Sequence, residues 1–156
     1  MKPGNKILII LGAAFVFFAA CVVVGIVFVA TKGHTLDKES KQYANTAARA
    51  IVSQWDITEI QQRASPEFKS VVKDDDLEKL VKMFRRLGNL KTYSEARGSS
   101  NISFTTQHGK LITATYVAAA DFDSGPAEIW LSLIKHGDKW QLAGIKINSK
   151  VFLEQP

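Results

Sequence analysis

The run Ile7 to Ala30, ILIILGAAFVFFAACVVVGIVFVA, holds 24 residues without a charge. It constrains everything that follows. At about 1.5 Å per residue, a helix of that length reaches roughly 36 Å, enough to cross a hydrocarbon core of about 30 Å with some tilt. The rest of the chain then folds on one side of a membrane. Lys2, Lys6 and the amino terminus precede the run; Lys32 follows it, as does Lys38 between Asp37 and Glu39. That bias favours residues 1–6 as a cytoplasmic tail. The expected placement is the bacterial inner membrane, crossed once, with the C-terminal domain in the periplasm or, in a single-membrane cell, outside.

Two other readings compete for this segment. A cleaved signal peptide has a shorter apolar region followed by small residues, whereas Phe28-Val29-Ala30 puts a bulky Phe where a small side chain is expected. Phe18-Ala19-Ala20-Cys21 has the outline of a lipoprotein box, but nine further apolar residues, Val22 to Ala30, follow the cysteine where a polar tether is normal. The unbroken span favours a permanent anchor. Within it Gly12, Ala19, Cys21 and Gly25 are small residues at which another membrane helix can approach closely.

The remaining 126 residues, Thr31 to Pro156, are enough for one ordinary core. Lys2 and Lys6 supply two of the chain's +5 charges, so the rest carries +3, well short of a nucleic-acid-binding balance. Cys21 is the sole cysteine and sits in the span, so the domain holds together without a disulfide.

Residues 31–36 read as a tether, 37–151 as one folded domain and 152–156 as a tail. Tyr43, Ala47, Ala50, Ile51 and Gln54 recur at helical steps, closed by Trp55. Asp56-Ile57-Thr58-Glu59 resembles a capping box opening a short helix through Ile60, and Ser65-Pro66 starts another turn. Asp74-Asp75-Asp76 before Leu77, Leu80, Val81, Phe84 and Leu87, with Gly88 after, predicts a helix with acids at its positive end. From Leu90 the period changes to two. The expected strands are Leu90–Arg97, Asn101–Gln107, Leu111–Phe122, Ala127–Lys135 and Trp140–Asn148, broken at Gly98-Ser99, His108-Gly109, Asp123 to Pro126 and His136 to Asp138. A bulge near Ala143-Gly144 would bring Trp140, Leu142, Ile145 and Ile147 to one face. The expected class is α+β: one transmembrane helix, then a helical layer on the concave face of a curved antiparallel sheet.

On this pattern the chain resembles the nuclear transport factor 2-like (cystatin-like) superfamily, whose domain is cone-shaped. The residues carrying the resemblance are Trp55-Asp56, Ala64 to Phe68, Phe84, Leu87-Gly88, Ala114 with Tyr116, Ala127-Glu128-Ile129, Trp140-Gln141-Leu142, and Ile145 to Ser149. The match covers about residues 37–150 and speaks to fold; the superfamily holds enzymes, ligand binders and assembly modules alike.

No nucleophile, base and orienting group come together in the pattern, so the expectation is a protein that is not an enzyme. Asp56, Asp74 to Asp76, Asp121 and Asp123 fall at helix starts, a strand end and a turn, while Glu128 faces either inward with Trp130 or outward. His34, His108 and His136 lie in the tether and two turns, with no metal-site spacing. No metal or cofactor is expected. Lys79, Lys82, Arg85 and Arg86 gather on the last helix. A solvated face supported by Glu78 and Lys82 explains them, and the sharper reading is a surface for an acidic partner or anionic headgroups. Trp55, Phe84, Tyr116, Trp130 and Trp140 are the residues that would line an apolar cavity inside the cone.

The preferred expectation is a membrane-anchored, non-catalytic interaction module: an accessory or assembly subunit of a larger membrane or envelope complex. Its partners would be the bilayer and either membrane proteins or further copies of itself, with no nucleic acid. The layout is similar to that of the inner-membrane assembly factor of type IV secretion systems, whose domain is longer. The alternative is a small apolar ligand binder or enzyme using the cone.

Overall fold

The computed structural model describes residues 33–106 and 109–153. The run Ile7–Ala30, with Gly12, Ala19, Cys21 and Gly25, lies outside the described residues, as do the tail 1–6, the start of the tether, His108 and residues 154–156. Among the described residues no helix is long and apolar enough to cross a membrane. The chain divides into two units, Met1–Leu36 and Asp37–Pro156. In the first, residues 33–36 are helical where a tether was expected; the stretch has no proline to prevent it.

The second unit is α+β. The helical stretch 33–54 contributes residues 37–54 to this unit, the part called α1. There follow α2 (Ile57–Arg63), α3 (Pro66–Val71), α4 (Asp74–Phe84) with a 3-10 turn at Arg85–Leu87, strands β1 (Leu90–Tyr93), β2 (Arg97–Thr105), β3 (Gly109–Phe122), β4 (Gly125–His136) and β5 (Lys139–Asn148), and a 3-10 turn at Lys150–Phe152. The cap chemistry accounts for the helix starts. The Asp56 carboxylate accepts from the Thr58 N–H at 2.9 Å, and the Ser65 hydroxyl accepts from the Phe68 N–H at 3.2 Å with Pro66 in the first helical position. α2 runs past its expected end at Ile60, and Glu59 pairs with Arg63 rather than closing a capping box. Three aspartates occupy the first turn of α4, and Gly88, at φ 81°, lets the chain leave it.

The sheet is antiparallel, ordered β1-β3-β4-β5, with β2 also on β3. Here the structure departs from the sequence pattern. β1 stops at Tyr93, and Gly98 and Ser99 lie inside β2, opposite Tyr116 and Thr115, where a turn was expected. β1 and β2 therefore run one after the other along a single edge of β3. A Cβ on residue 98 would come within 1.9 Å of the Thr115 carbonyl oxygen, so this glycine marks a close approach of two backbones. The expected bulge is present: Ser132 pairs with Gly144 and Leu133 with Leu142, leaving Ala143 as the extra residue. Across it, Leu142, Ile145 and Ile147 oppose Leu133, Leu131 and Ile129 on one face.

That face carries Ala114, Tyr116, Ala118, Ala120 and Phe122 of β3 and Ala127, Ile129, Leu131 and Leu133 of β4, all buried. α1 supplies Ala44, Ala47, Ala48, Ile51 and Val52 to the same core. At the α2–α3 junction, the Ser65 N–H donates to the Leu142 carbonyl at 2.8 Å, tying the helical layer to β5. Phe152, expected in a tail, packs 6.1 Å from Phe84 and belongs to the domain.

Candidate functional site

Trp55 organises one end of the domain. Its backbone sits at φ 51°, a conformation rare for a bulky residue. The side chain is buried against Phe84 and Phe122, at ring-centroid distances of 5.8 and 5.3 Å. The indole N–H donates to the Gly88 carbonyl at 2.9 Å, and Arg85 donates two guanidinium hydrogen bonds to the Trp55 carbonyl at 3.3 and 3.2 Å. These contacts hold the strained backbone, and Arg85, itself exposed, caps the end of α1. Arg86 likewise donates to the Val151 carbonyl at 3.1 Å. Of the four basic residues expected to form a partner surface, two are thus engaged with backbone carbonyls. Lys79 pairs with Asp76 at 3.5 Å, and Lys82 is exposed on the wall of a groove shared with Glu78 and Lys79. The expected Glu78–Lys82 pair does not form among the described residues.

The opposite end of α1 is fixed by polar side chains. The Asp37 carboxylate accepts from the Ser100 N–H at 2.7 Å and its hydroxyl at 2.6 Å. The buried Tyr116 hydroxyl donates to the Asp37 carbonyl at 3.1 Å and lies 2.9 Å from the Ser40 hydroxyl. Burial raises the Tyr116 pKa above its ordinary value. Beside this group, Lys135 bonds the Glu39 carboxylate at 2.7 Å and lies over the Trp140 ring. The Lys135 hydrogen bond holds Glu39 below the usual carboxylate range. The Trp140 indole N–H is buried and adds a weaker pull on Glu39 without reaching an acceptor at hydrogen-bond distance. Farther along α1, Tyr93 donates to Asn45 at 2.9 Å with Arg49 over its ring; burial pushes its pKa up to about 12.

The five residues expected to line one cavity do not share a space. Trp55, Phe84, Tyr116 and Trp140 are buried between helices and sheet. Trp130, 39% exposed, opposes Val117 on the other sheet face, where its neighbour Glu128 also points outward and accepts its indole N–H at 3.4 Å. Counting by twos from the buried Ile129 and Leu131 would have shown this. The grooves lie elsewhere. One of about 740 Å³ opens beside Ala119, Asp121, Pro126, Glu128, Asn148 and Phe152. A smaller one of about 370 Å³ runs past Trp130, Ser132, Gly144 and Lys146.

The acids are mostly occupied in holding the chain. Asp121 accepts from the Thr92 hydroxyl at 2.7 Å. Asp123 accepts from the Asn89 backbone N–H at 2.8 Å, which lowers its pKa, and Asp74 accepts from Gln61 at 3.0 Å. Glu67 is lowered by its own backbone N–H, Ser65 and His136. Among the described residues, no group of three or more His, Cys, Asp or Glu side chains is arranged to hold a metal ion.

No protein-family model matches the chain, and no curated protein matches it. The assignment of function therefore rests on the sequence and these surfaces.

Proposed function

We infer that the protein is a membrane-anchored, non-catalytic interaction module, an accessory or assembly subunit of a larger membrane or envelope complex. The observation that carries this reading is the 24-residue uncharged run placed directly before a folded domain. Two features of the domain support it. The polar side chains at the two ends of α1 fix that helix to the rest of the domain, to β2 and β3 at Asp37 and to Arg85 and Gly88 at Trp55, which suits a part that positions rather than reacts. The sheet face away from the helices presents Trp130, and an exposed aromatic among polar neighbours is a common interface anchor. On this reading the domain has the cone-shaped, nuclear transport factor 2-like fold, with its amino terminus in the cytoplasm. Gentle detergent extraction of the full chain followed by blue-native electrophoresis tests the reading. Migration above the monomer, with partners or further copies, is expected; migration only as a monomer refutes it.

The groove of about 740 Å³ favours a second reading, a binder of small, partly apolar ligands, because it sets Asp121 and Glu128 beside Ala119, Pro126 and Phe152. It lies away from the aromatic cluster. Ligand that survives purification and is lost in Ala119→Trp supports this reading; an empty groove in native mass spectrometry removes it.

A further inference from the structure

We propose that the distal part of the β2–β3 hairpin rests on the surface of the lipid bilayer, with Phe104 and Ile102 at the boundary between headgroups and acyl chains. The inference deepens the reading of Ile7–Ala30 as a membrane span and rests on it.

Strand pairing sets this part of the sheet apart. β4 leaves β3 at the Ile134–Thr113 pair, whereas β2 stays paired with β3 through Thr105 and Gly109. Four residues of β3, Gly109 to Ile112, therefore pair with β2 alone, a two-stranded ribbon about 13 Å long beside which β4 and β5 continue, paired only to each other, to His136 and Lys139. Ile102 opposes Ile112 and Phe104 opposes Lys110, so these side chains share one face. Phe104 is 78% exposed and Ile102 39%. A two-stranded ribbon in water is at best marginally stable, and this one spends its largest apolar side chains on solvent.

Its charge suits an anionic surface. From Arg97 to Ala120 there is no Asp or Glu, and the ionised side chains are Arg97 and Lys110. An aromatic ring beside a lysine, with hydroxyls and amides around them, is the composition that settles at a headgroup boundary.

Chain connectivity brings the ribbon within reach of that surface. α1 begins at the ribbon end, where Asp37 is bonded to Ser100, and ends where Trp55 packs on Phe122 at the other end of β3. Seven peptide steps separate Ala30, the last residue of the span, from Asp37. Even fully extended they reach at most about 25 Å. That length limits how far Asp37, and Ser100 bonded to it, can lie from the end of the span, and the ribbon projects from the end of the sheet at which Asp37 is bonded.

The test uses the full chain in lipid nanodiscs containing phosphatidylglycerol. With Cys21→Ser removing the native thiol, a nitroxide is attached at Phe104→Cys, and in a second protein at Leu153→Cys. Leu153 is an exposed apolar residue beyond β5, following a turn tied to Pro126 at the far end of the sheet. Power saturation then compares collisions with oxygen, which concentrates in lipid, and with a water-soluble nickel chelate. A severalfold higher oxygen-to-nickel ratio at 104 than at 153 is expected, and the same displacement at Ile102→Cys. Equal ratios overturn the inference, as does shielding from both reagents, the mark of a protein partner on the ribbon. A chain that fails to float with lipid refutes the span and this inference together. A chain that floats with a water-exposed label at 104 refutes this inference alone.

Discussion

The two ends of β3 carry apolar side chains on the same, helix-facing side, and their surroundings differ completely. At the carboxyl end, Phe122 is buried against Trp55, and Trp55 against Phe84, with Phe152 closing over Phe84. At the amino end, Ile112 shares its face with Ile102 and Phe104, and Phe104 is largely exposed. Strand alternation is the same at both ends. What differs is the cover: α1, α4 and both 3-10 turns converge on the Phe122 end, while β2 and β3 run on unpaired to β4 at the other. Side-chain parity chooses the face, and the reach of neighbouring elements decides whether that face becomes core.

If this contrast is correct, the largest loss follows damage to the closed end. Trp55→Ala removes two aromatic contacts and the bond to Gly88, and is expected to lower unfolding stability by about 3–5 kcal/mol in urea titrations. A loss below about 1 kcal/mol would show that the Phe122 end is not the tightly packed one. Gly98→Ala comes next. The added methyl meets the Thr115 backbone and cannot relax by a rotamer change, so a loss of about 1–3 kcal/mol is expected from the same titration.

A smaller effect appears in alkali. Tyr93 has an ordinary pKa of 10.0 and is raised to about 12 by burial, so the folded state keeps a proton that the unfolded chain releases. Its contribution is intact below pH 10 and lost as the pH rises toward about 12. The thermal midpoint should fall across that window, and Tyr93→Phe should make the fall shallower, leaving the part due to Tyr43 and Tyr116, which burial also raises. The smallest effect belongs to the open end. Phe104→Ser is expected to change folding stability by no more than about 0.5 kcal/mol, since its side chain faces solvent in the domain. A large loss would mean the ribbon is packed and the contrast fails.

Local chemistry was legible in the sequence. Asp56 and Ser65 mark helix starts by accepting from free N–H groups, the three aspartates of α4 mark one by placing negative charge at its positive end, and Gly88 marks an exit that needs positive φ. The bulge at Ala143 followed from a change of parity between Leu142 and Ile145. The errors arose where distant chain segments decide. Gly98 has the signature of a turn, and only the proximity of Thr115 makes it a strand residue. Arg85 is exposed, as the spacing of a solvated ridge implies, but that spacing gave no sign of the bond it makes to the carbonyl of Trp55. Nothing near Asp37 points to Ser100, 63 residues away. Conversely, Trp130 was misplaced into the aromatic cavity although strand alternation alone puts it on the outer face.

Alkaline carbonate extraction of membranes carrying the full chain tests the central claim, that the domain is held at a bilayer by the run Ile7–Ala30. The account predicts that the protein stays in the membrane pellet at high pH, where peripheral proteins are stripped away. Release of the intact chain into the supernatant would contradict it.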